Sequence, residues 1–311
     1  MRSVFPGDRN GDMPLSEQRF DCREWLAHQN RCGHIGRLPD AAYRCDRLGR
    51  LDGFDEPTSF LGIEGQACVD PLRSLHAICR PGAKPPSLIN CQVRLNSGMI
   101  GAKRCKSFLC PRCHQSRQRH LRKKVLAILR RAQTLGMGMS FMTLTLSHSG
   151  QSSLAHGIDA ISEAWVAARR GGPYRRMKAA LGLIGVLNFF EVTLGVFGWH
   201  PHLHSIVICE NQTDADVCAE RLARRYEHSL LKKGWRVNAR TSHAQRVTAV
   251  DGLAEYVVKD WRATKNSPLQ LARLAMSGCP AAADFYFEAV EAMNRKRHAV
   301  LSPSLHQALF D

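Results

Sequence analysis

No run of this chain is apolar for long enough to cross a membrane, and no secretory signal is legible at its start. The expectation is therefore a cytoplasmic protein whose 12 cysteines are kept as thiols or metal ligands rather than disulfides. Internal repeats and low-complexity tracts are also lacking. Acid is scarce: 27 Asp and Glu stand against 44 Lys and Arg, a formal net charge of +17 at pH 7. That balance favours polyanionic partners through phosphate contacts. Acid is absent altogether from the stretch holding Lys103, Arg104, Lys106, Arg112, Arg117, Arg119, Arg122, Lys123, Lys124, Arg130 and Arg131. Its second half places Leu121, Val125, Ile128 and Leu129 on one stripe, so it reads as a basic amphipathic helix that stops at Gly136.

What is present is a dense histidine motif, Trp199-His200-Pro201-His202-Leu203-His204, followed by the β-branched run Ser205-Ile206-Val207-Ile208. The run reads as a buried strand. Alternate residues of a strand share a face, so His200, His202 and His204 point the same way. Two imidazoles on one rigid face can bind a divalent metal. Glu191 lies upstream in a second apolar run, Leu187 to Leu194, and Gly195-Val196-Phe197-Gly198 can turn the chain back. A hairpin would then bring Glu191 beside His202 and His204, leaving coordination positions open for a substrate phosphate.

Two further stretches carry chemistry. In Ala254-Glu255-Tyr256-Val257-Val258-Lys259, helical spacing puts Tyr256 and Lys259 on one face, with Asp251 as the expected N-cap. Tyrosine titrates near 10 and needs help to act as a nucleophile, which a lysine and a metal-polarised phosphate supply. In Met139 to Ser147, Met142, Leu144 and Leu146 alternate with Thr143, Thr145 and Ser147. The spacing predicts a strand with a hydroxyl-lined face, and Thr143 and Thr145 are candidates for holding DNA phosphates.

Cys105, Cys110 and Cys113 have the short spacing that lets thiolates from one turn reach a tetrahedral Zn2+. Cys91 is the expected fourth ligand; His114 is a weaker candidate, because neighbouring residues point apart. Cys22, Cys32, His34, Cys45, Cys68, His76 and Cys79 could form a second site, but their spacings are irregular.

Periodicity divides the chain into a loop-rich segment of unknown role (1–89), a zinc-binding and basic-helix module (90–136), a catalytic domain (137–264) and a helical tail (265–311). Within the third, the predicted order is a strand at 139–147, a helix at 152–170 ending at Gly171-Gly172, strands at 183–194 and 199–209, a helix at 214–233, strands at 235–240 and 245–250, then the Tyr256 helix. That β-α-β-β-α-β order is the split ferredoxin-like pattern of an α+β fold. A tail helix is expected near 281–297, with Phe285, Ala289 and Met293 in line.

Phe141-Met142-Thr143-Leu144-Thr145, then Glu191 with His200-Pro201-His202-Leu203-His204, then Tyr256-Val257-Val258-Lys259, resemble in that order the three motifs of the HUH endonucleases. The match is to the single-tyrosine rolling-circle replication initiators of small bacterial plasmids, over residues 90–262. The resemblance implies an enzyme that nicks single-stranded origin DNA. Tyr256 would attack a phosphate polarised by Mg2+ or Mn2+ on His202, His204 and Glu191, with His200 as a fourth ligand or a supporting partner. A 5′-phosphotyrosine link and a free 3′-OH primer would result, with Lys259 offsetting phosphate charge. Arg117, Arg119, Arg122, Lys123 and Lys124 would hold the strand, and host helicase and polymerase are the implied partners. Such initiators carry a glutamate four residues before the tyrosine, where this chain has Gly252. Glu255 is then the expected termination base, with Asp251 as its alternative. Asp260, four residues after Tyr256, excludes the two-tyrosine version. A transposase or relaxase of the same chemistry, and a zinc-containing DNA-binding repressor without catalysis, are the rival readings. Oligomeric state stays open.

Overall fold

The computed structural model describes residues 76, 77, 79, 80, 82–84, 86, 88, 105, 107–111, 113–147, 153–195, 198–237, 242–261, 264, 266–276, 279–294 and 296–310. Cys22, Cys32, His34, Cys45, Cys68, Cys91, Lys103, Arg104, Lys106 and Arg112 lie outside the described residues. The architecture is α+β. In chain order come α1 (His114–Thr134), β1 (Gly138–Leu144), α2 (Leu154–Ala168), α3 (Gly171–Ala180), β2 (Leu183–Gly195), β3 (Gly198–Cys209) and α4 (Gln212–Lys232). They are followed by β4 (Ser242–Arg246), α5 (Val250–Val257), α6 (Pro268–Met276), α7 (Pro280–Ala292), β5 (Ala299–Leu301) and α8 (Pro303–Phe310). The five strands form one antiparallel sheet in the order β4-β1-β3-β2-β5.

The order follows from the connections. β2 and β3 form a hairpin, in which Glu191 faces His202 and Phe189 faces His204. The crossover through α2 and α3 carries the chain from β1 to β2 past β3, and the one through α4 carries it from β3 to β4 past β1. The alternation of β1 then sorts its side chains. Met142, Leu144 and Leu146 pack with Leu203 and Val207 against Ile161 and Trp165 of α2 and Leu222 and Tyr226 of α4. Met139 and Phe141 pack on the opposite face with Phe189 and Ile206, under Val125 and Leu129 of α1, Ala254 of α5 and Leu305 of α8. Both faces of β1 are thus largely apolar, and the expected hydroxyl face narrows to Thr143 within the strand. Burying a side chain of this size contributes about 1.5–3 kcal/mol, so both layers are needed to hold the sheet.

A third apolar cluster joins Cys110, Cys113, Trp199 and Trp261 to Leu269, Leu271, Tyr286 and Phe287 of α6 and α7. It ties the cysteine turn and the C-terminal helices to the turn end of the hairpin. Glu288 of α7 accepts from Trp199 Nε1 (2.8 Å) and from the Leu154 amide at the start of α2 (3.1 Å).

Several sequence expectations shift. Gly171-Gly172 opens α3 instead of ending α2: Gly171 sits at φ +83, a conformation that breaks one helix and lets the next begin. Of the strand expected at 235–240, residues 238–240 lie outside the described residues and 235–237 show one bridge, between Arg236 and Ser147; the strand expected at 245–250 is β4, at Ser242–Arg246. The N-cap of α5 is Ala249, without a side-chain cap bond. Asp251 sits inside the first turn and pairs with Arg130 of α1 (3.0 Å) instead. The predicted tail helix ends at Ala292, and β5 and α8 follow it, neither with a long enough apolar period to be read in advance.

Candidate active site

The β2–β3 hairpin and the end of α5 build the site. Register puts Thr193 opposite His200, Glu191 opposite His202, and Thr143 of β1 opposite His204, so these side chains share the sheet face that carries α1 and α5. Glu191 Oε2 meets His204 Nε2 at 2.8 Å, and the other ring nitrogen of His204 meets the Thr143 hydroxyl at 3.2 Å. Lys259 places its ammonium on Glu191 Oε1. Burial pushes the Glu191 carboxyl up, but the His204 hydrogen bond and the Lys259 charge outweigh it and hold the group at about 2. Glu191 is therefore ionised at neutral pH.

His202 lies beside them, its ring 6.3 Å from that of His204 and within 16° of parallel. Its Nδ1 is buried without a hydrogen-bond partner, and burial lowers its pKa to about 4. A neutral imidazole with an orphaned buried nitrogen, next to an ionised carboxylate, fits a divalent cation. The donor atoms of His202, His204 and Glu191 do not all lie within 4.8 Å of one another, a spacing that only the cysteine trio reaches among the described residues. The fourth candidate, His200, lies over Gly195 beside the hairpin turn, where a Cβ on the glycine would sit 2.7 Å from His200 Nε2.

Tyr256 stands over this group. Its ring meets His204 at 5.4 Å and Phe141 at 5.8 Å, and Lys259 Nζ lies 5.3 Å from its centroid. Nearly half of the residue (48%) is exposed. Burial of the rest, and the negative charge of Glu191, raise its pKa. α5 ends at Val257, so Lys259 is not the helical i,i+3 neighbour the spacing implied; it follows the helix end yet converges on the same point. Gln118 of α1 donates to the Val258 carbonyl (3.0 Å), and His114 meets Asp260 (3.2 Å) and the Trp261 amide (3.3 Å). His114 is fully buried and also bonds the Phe108 carbonyl at 2.9 Å. Its role is to fix the segment that carries Lys259, a role no spacing in the sequence announced.

Other candidates are placed differently. Thr143 serves His204, and the Thr145 hydroxyl donates to the Pro201 carbonyl (3.4 Å). Arg122 pairs with Glu255, both on the rim. Arg117, Arg119, Lys123 and Lys124 are exposed along α1. Cys105, Cys110 and Cys113 bring their sulfurs within 4.8 Å of one another and could hold a metal ion. The Cys105 and Cys113 sulfurs are 3.9 Å apart.

Residues 97–214 match the family described as Replication protein. A protein of Streptomyces lividans named Protein rep is 26% identical over 159 residues, 42% of this chain and 35% of that protein. The chain thus spans about a third of that relative's length. Both comparisons support the likeness to plasmid rolling-circle replication initiators that the motif order carries. The family match includes β1, Glu191 and the histidine strand, and ends before Tyr256. No solved structure matches the chain. No described helix is long and apolar enough to cross a membrane.

Proposed function

We propose that the protein initiates plasmid or phage replication by nicking single-stranded origin DNA at Tyr256. The observation that carries this reading is the convergence of Tyr256, Lys259, Glu191, His202 and His204 from three separate elements onto one sheet face. The strand order β4-β1-β3-β2, with its two crossovers, fits the split β-α-β core of the HUH endonucleases. In the reaction, Tyr256 Oη forms a bond to phosphorus and the bond from phosphorus to the 3′-oxygen breaks. The tyrosine proton leaves and the 3′-oxygen gains one, giving a 5′-phosphotyrosine and a 3′-OH that primes a host polymerase. A Mg2+ or Mn2+ ion held by His202, His204 and Glu191 would supply positive charge at the phosphate. Lys259 offsets phosphate charge from the tyrosine side. Thr143 would hold His204 by Nδ1, and Nε2 would exchange its contact with Glu191 for the ion. The ester keeps the energy of the broken bond, so a later 3′-OH can reverse the step and join the strand. Zn2+ on Cys105, Cys110 and Cys113, with Cys91 as the fourth ligand, would brace the turn that anchors α1.

The test is covalent trapping on a labelled single-stranded origin oligonucleotide, resolved on a denaturing gel. The parent should form an adduct in Mg2+ or Mn2+ and none in chelator. Tyr256→Phe should bind DNA and form none. An adduct on the Phe variant would move the nucleophile elsewhere; an adduct in chelator would sink the metal assignment.

A further inference from the structure

A cleft of about 1120 Å³ lies between the N-terminal half of α1, the residues Ala83, Lys84, Pro86 and Leu88, and a wall running from Val290 to Asn294 and from Lys296 to Leu301. Five cations line it: Lys296, which pairs with Asp159, and Lys84, Arg117, Lys124 and Arg297, for which no acidic partner is seen among the described residues. The one acid on its wall, Glu291, is engaged by Arg80 at 2.9 Å. At its back sits His298, which is 8% exposed. Neither ring nitrogen of His298 makes a well-formed hydrogen bond; the Phe190 backbone is near enough to raise its pKa, but burial outweighs it. The ring is locked by stacking on Phe108 at 3.6 Å and by the edge of Trp261 at 5.0 Å. A buried imidazole carries one donor and one acceptor, and leaving both unmet is costly. A polar edge supplied from the cleft would satisfy them.

We propose that the cleft seats one nucleotide of the bound strand, away from the scissile phosphate. Its base edge meets the His298 nitrogens, and its flanking phosphates meet Lys84, Arg117, Lys124 and Arg297. Charge at the rim, with an aromatic and polar back wall, suits a nucleotide better than a bare phosphate. The amide of Phe190, the residue before Glu191, donates to the His298 carbonyl (2.8 Å), so a strand held here lies beside the catalytic hairpin. The proposal rests on the reading of the protein as an enzyme of single-stranded DNA.

Two variants of the full chain test it, by fluorescence anisotropy of a labelled single-stranded oligonucleotide across a salt series. His298→Phe keeps the ring volume and the stack and deletes both nitrogens. It should bind about fivefold more weakly or worse, with a thermal midpoint no lower than the parent's. A histidine with a purely structural role would leave affinity unmoved. Lys84→Ala with Arg297→Ala removes two rim charges and should lower the slope of log affinity against log salt by about 1.4. Unchanged affinity in the first variant and an unchanged slope in the second would overturn the proposal and assign the cleft to water or to the chain itself. If His298→Phe fails to fold, the slope of the charge variant decides alone. Parent protein that binds the strand but forms no adduct at Tyr256 would sink the nicking reading, while the affinity and slope of these variants still decide whether the cleft holds a nucleotide.

Discussion

Lys259 holds one oxygen of the Glu191 carboxylate while His204 holds the other at 2.8 Å. Both oxygens of the expected metal ligand are thus engaged, and the ammonium sits where positive charge is wanted. Removing one partner of a buried pair usually costs about 3–5 kcal/mol. Here Glu191 keeps His204 and Lys259 is 29% exposed, so Lys259→Met should cost about 1–2 kcal/mol in urea unfolding at pH 7. If the ammonium competes with a divalent ion for Glu191, the variant should bind Mn2+ more tightly by calorimetry while nicking more slowly. Equal Mn2+ affinity in both proteins would show that Lys259 does not guard the carboxylate.

Cys110 is 1% exposed in the apolar cluster beneath α6 and α7, and its sulfur lies with those of Cys105 and Cys113. If the trio is a zinc site, metal binding and local folding are linked. Purified protein should carry at least one zinc per chain by elemental analysis, and Cys110→Ser should lose it. The variant should also expose the α1 N-terminus to proteolysis, because that turn leads directly into His114. Metal-free protein with parental stability would reduce the trio to buried thiols.

The strands were legible because their apolar alternation is strong: β2 and β3 begin and end within one residue of their predicted bounds. The hairpin register then follows from its short turn, so Glu191 opposite His202 could be anticipated. Tyr256 and Lys259 were found through a helical period that the structure only half supports, since α5 stops between them. What the sequence hid depends on distant packing. His298 looks like an isolated histidine, and it packs on Phe108 and Trp261, both distant in sequence; His114 meets the nearby Phe108 but also the distant Trp261. β5 is a 3-residue strand fixed by pairing with β2, and no period can announce so short an element.

Release of the covalent product needs a base, and the acids near Tyr256 are committed elsewhere. Glu255 pairs with Arg122, and Asp251 with Arg130 at 3.0 and 3.2 Å. Exposed pairs of this kind are worth at most about 1 kcal/mol, so Glu255 can be freed when a strand claims Arg122. Glu255→Gln should leave stability within about 0.5 kcal/mol, still nick, and accumulate adduct. A variant that releases DNA like the parent would remove Glu255 from the reaction. The converse variant is Gly252→Glu. A Cβ at Gly252 meets nothing within 4 Å, and replacing a helical glycine should stabilise α5 by several tenths of a kcal/mol. If position 252 faces the ester as its spacing from Tyr256 implies, this variant should release product faster than the parent on a single-turnover gel.

Acid sensitivity gives a check on His298 that needs no DNA. Burial, and then the nearby His114 ring, hold its pKa at about 3, against about 6.5 in an unfolded chain. Between those values the unfolded chain takes up a proton that the folded protein refuses, so stability rises with pH. The contribution is fully present above pH 6.5 and is lost as pH falls towards 3, at up to about 1.4 kcal/mol per pH unit. His202, held at about 4 by burial, adds a loss of the same sign over most of that window. Urea midpoints measured from pH 7.5 down to 4.5 should therefore fall steeply. His298→Phe has no proton to take up and should remove about half of the slope that the two histidines impose. A variant whose slope matches the parent's would mean that His298 titrates normally, and the orphaned nitrogens that motivate the cleft would have found a partner already.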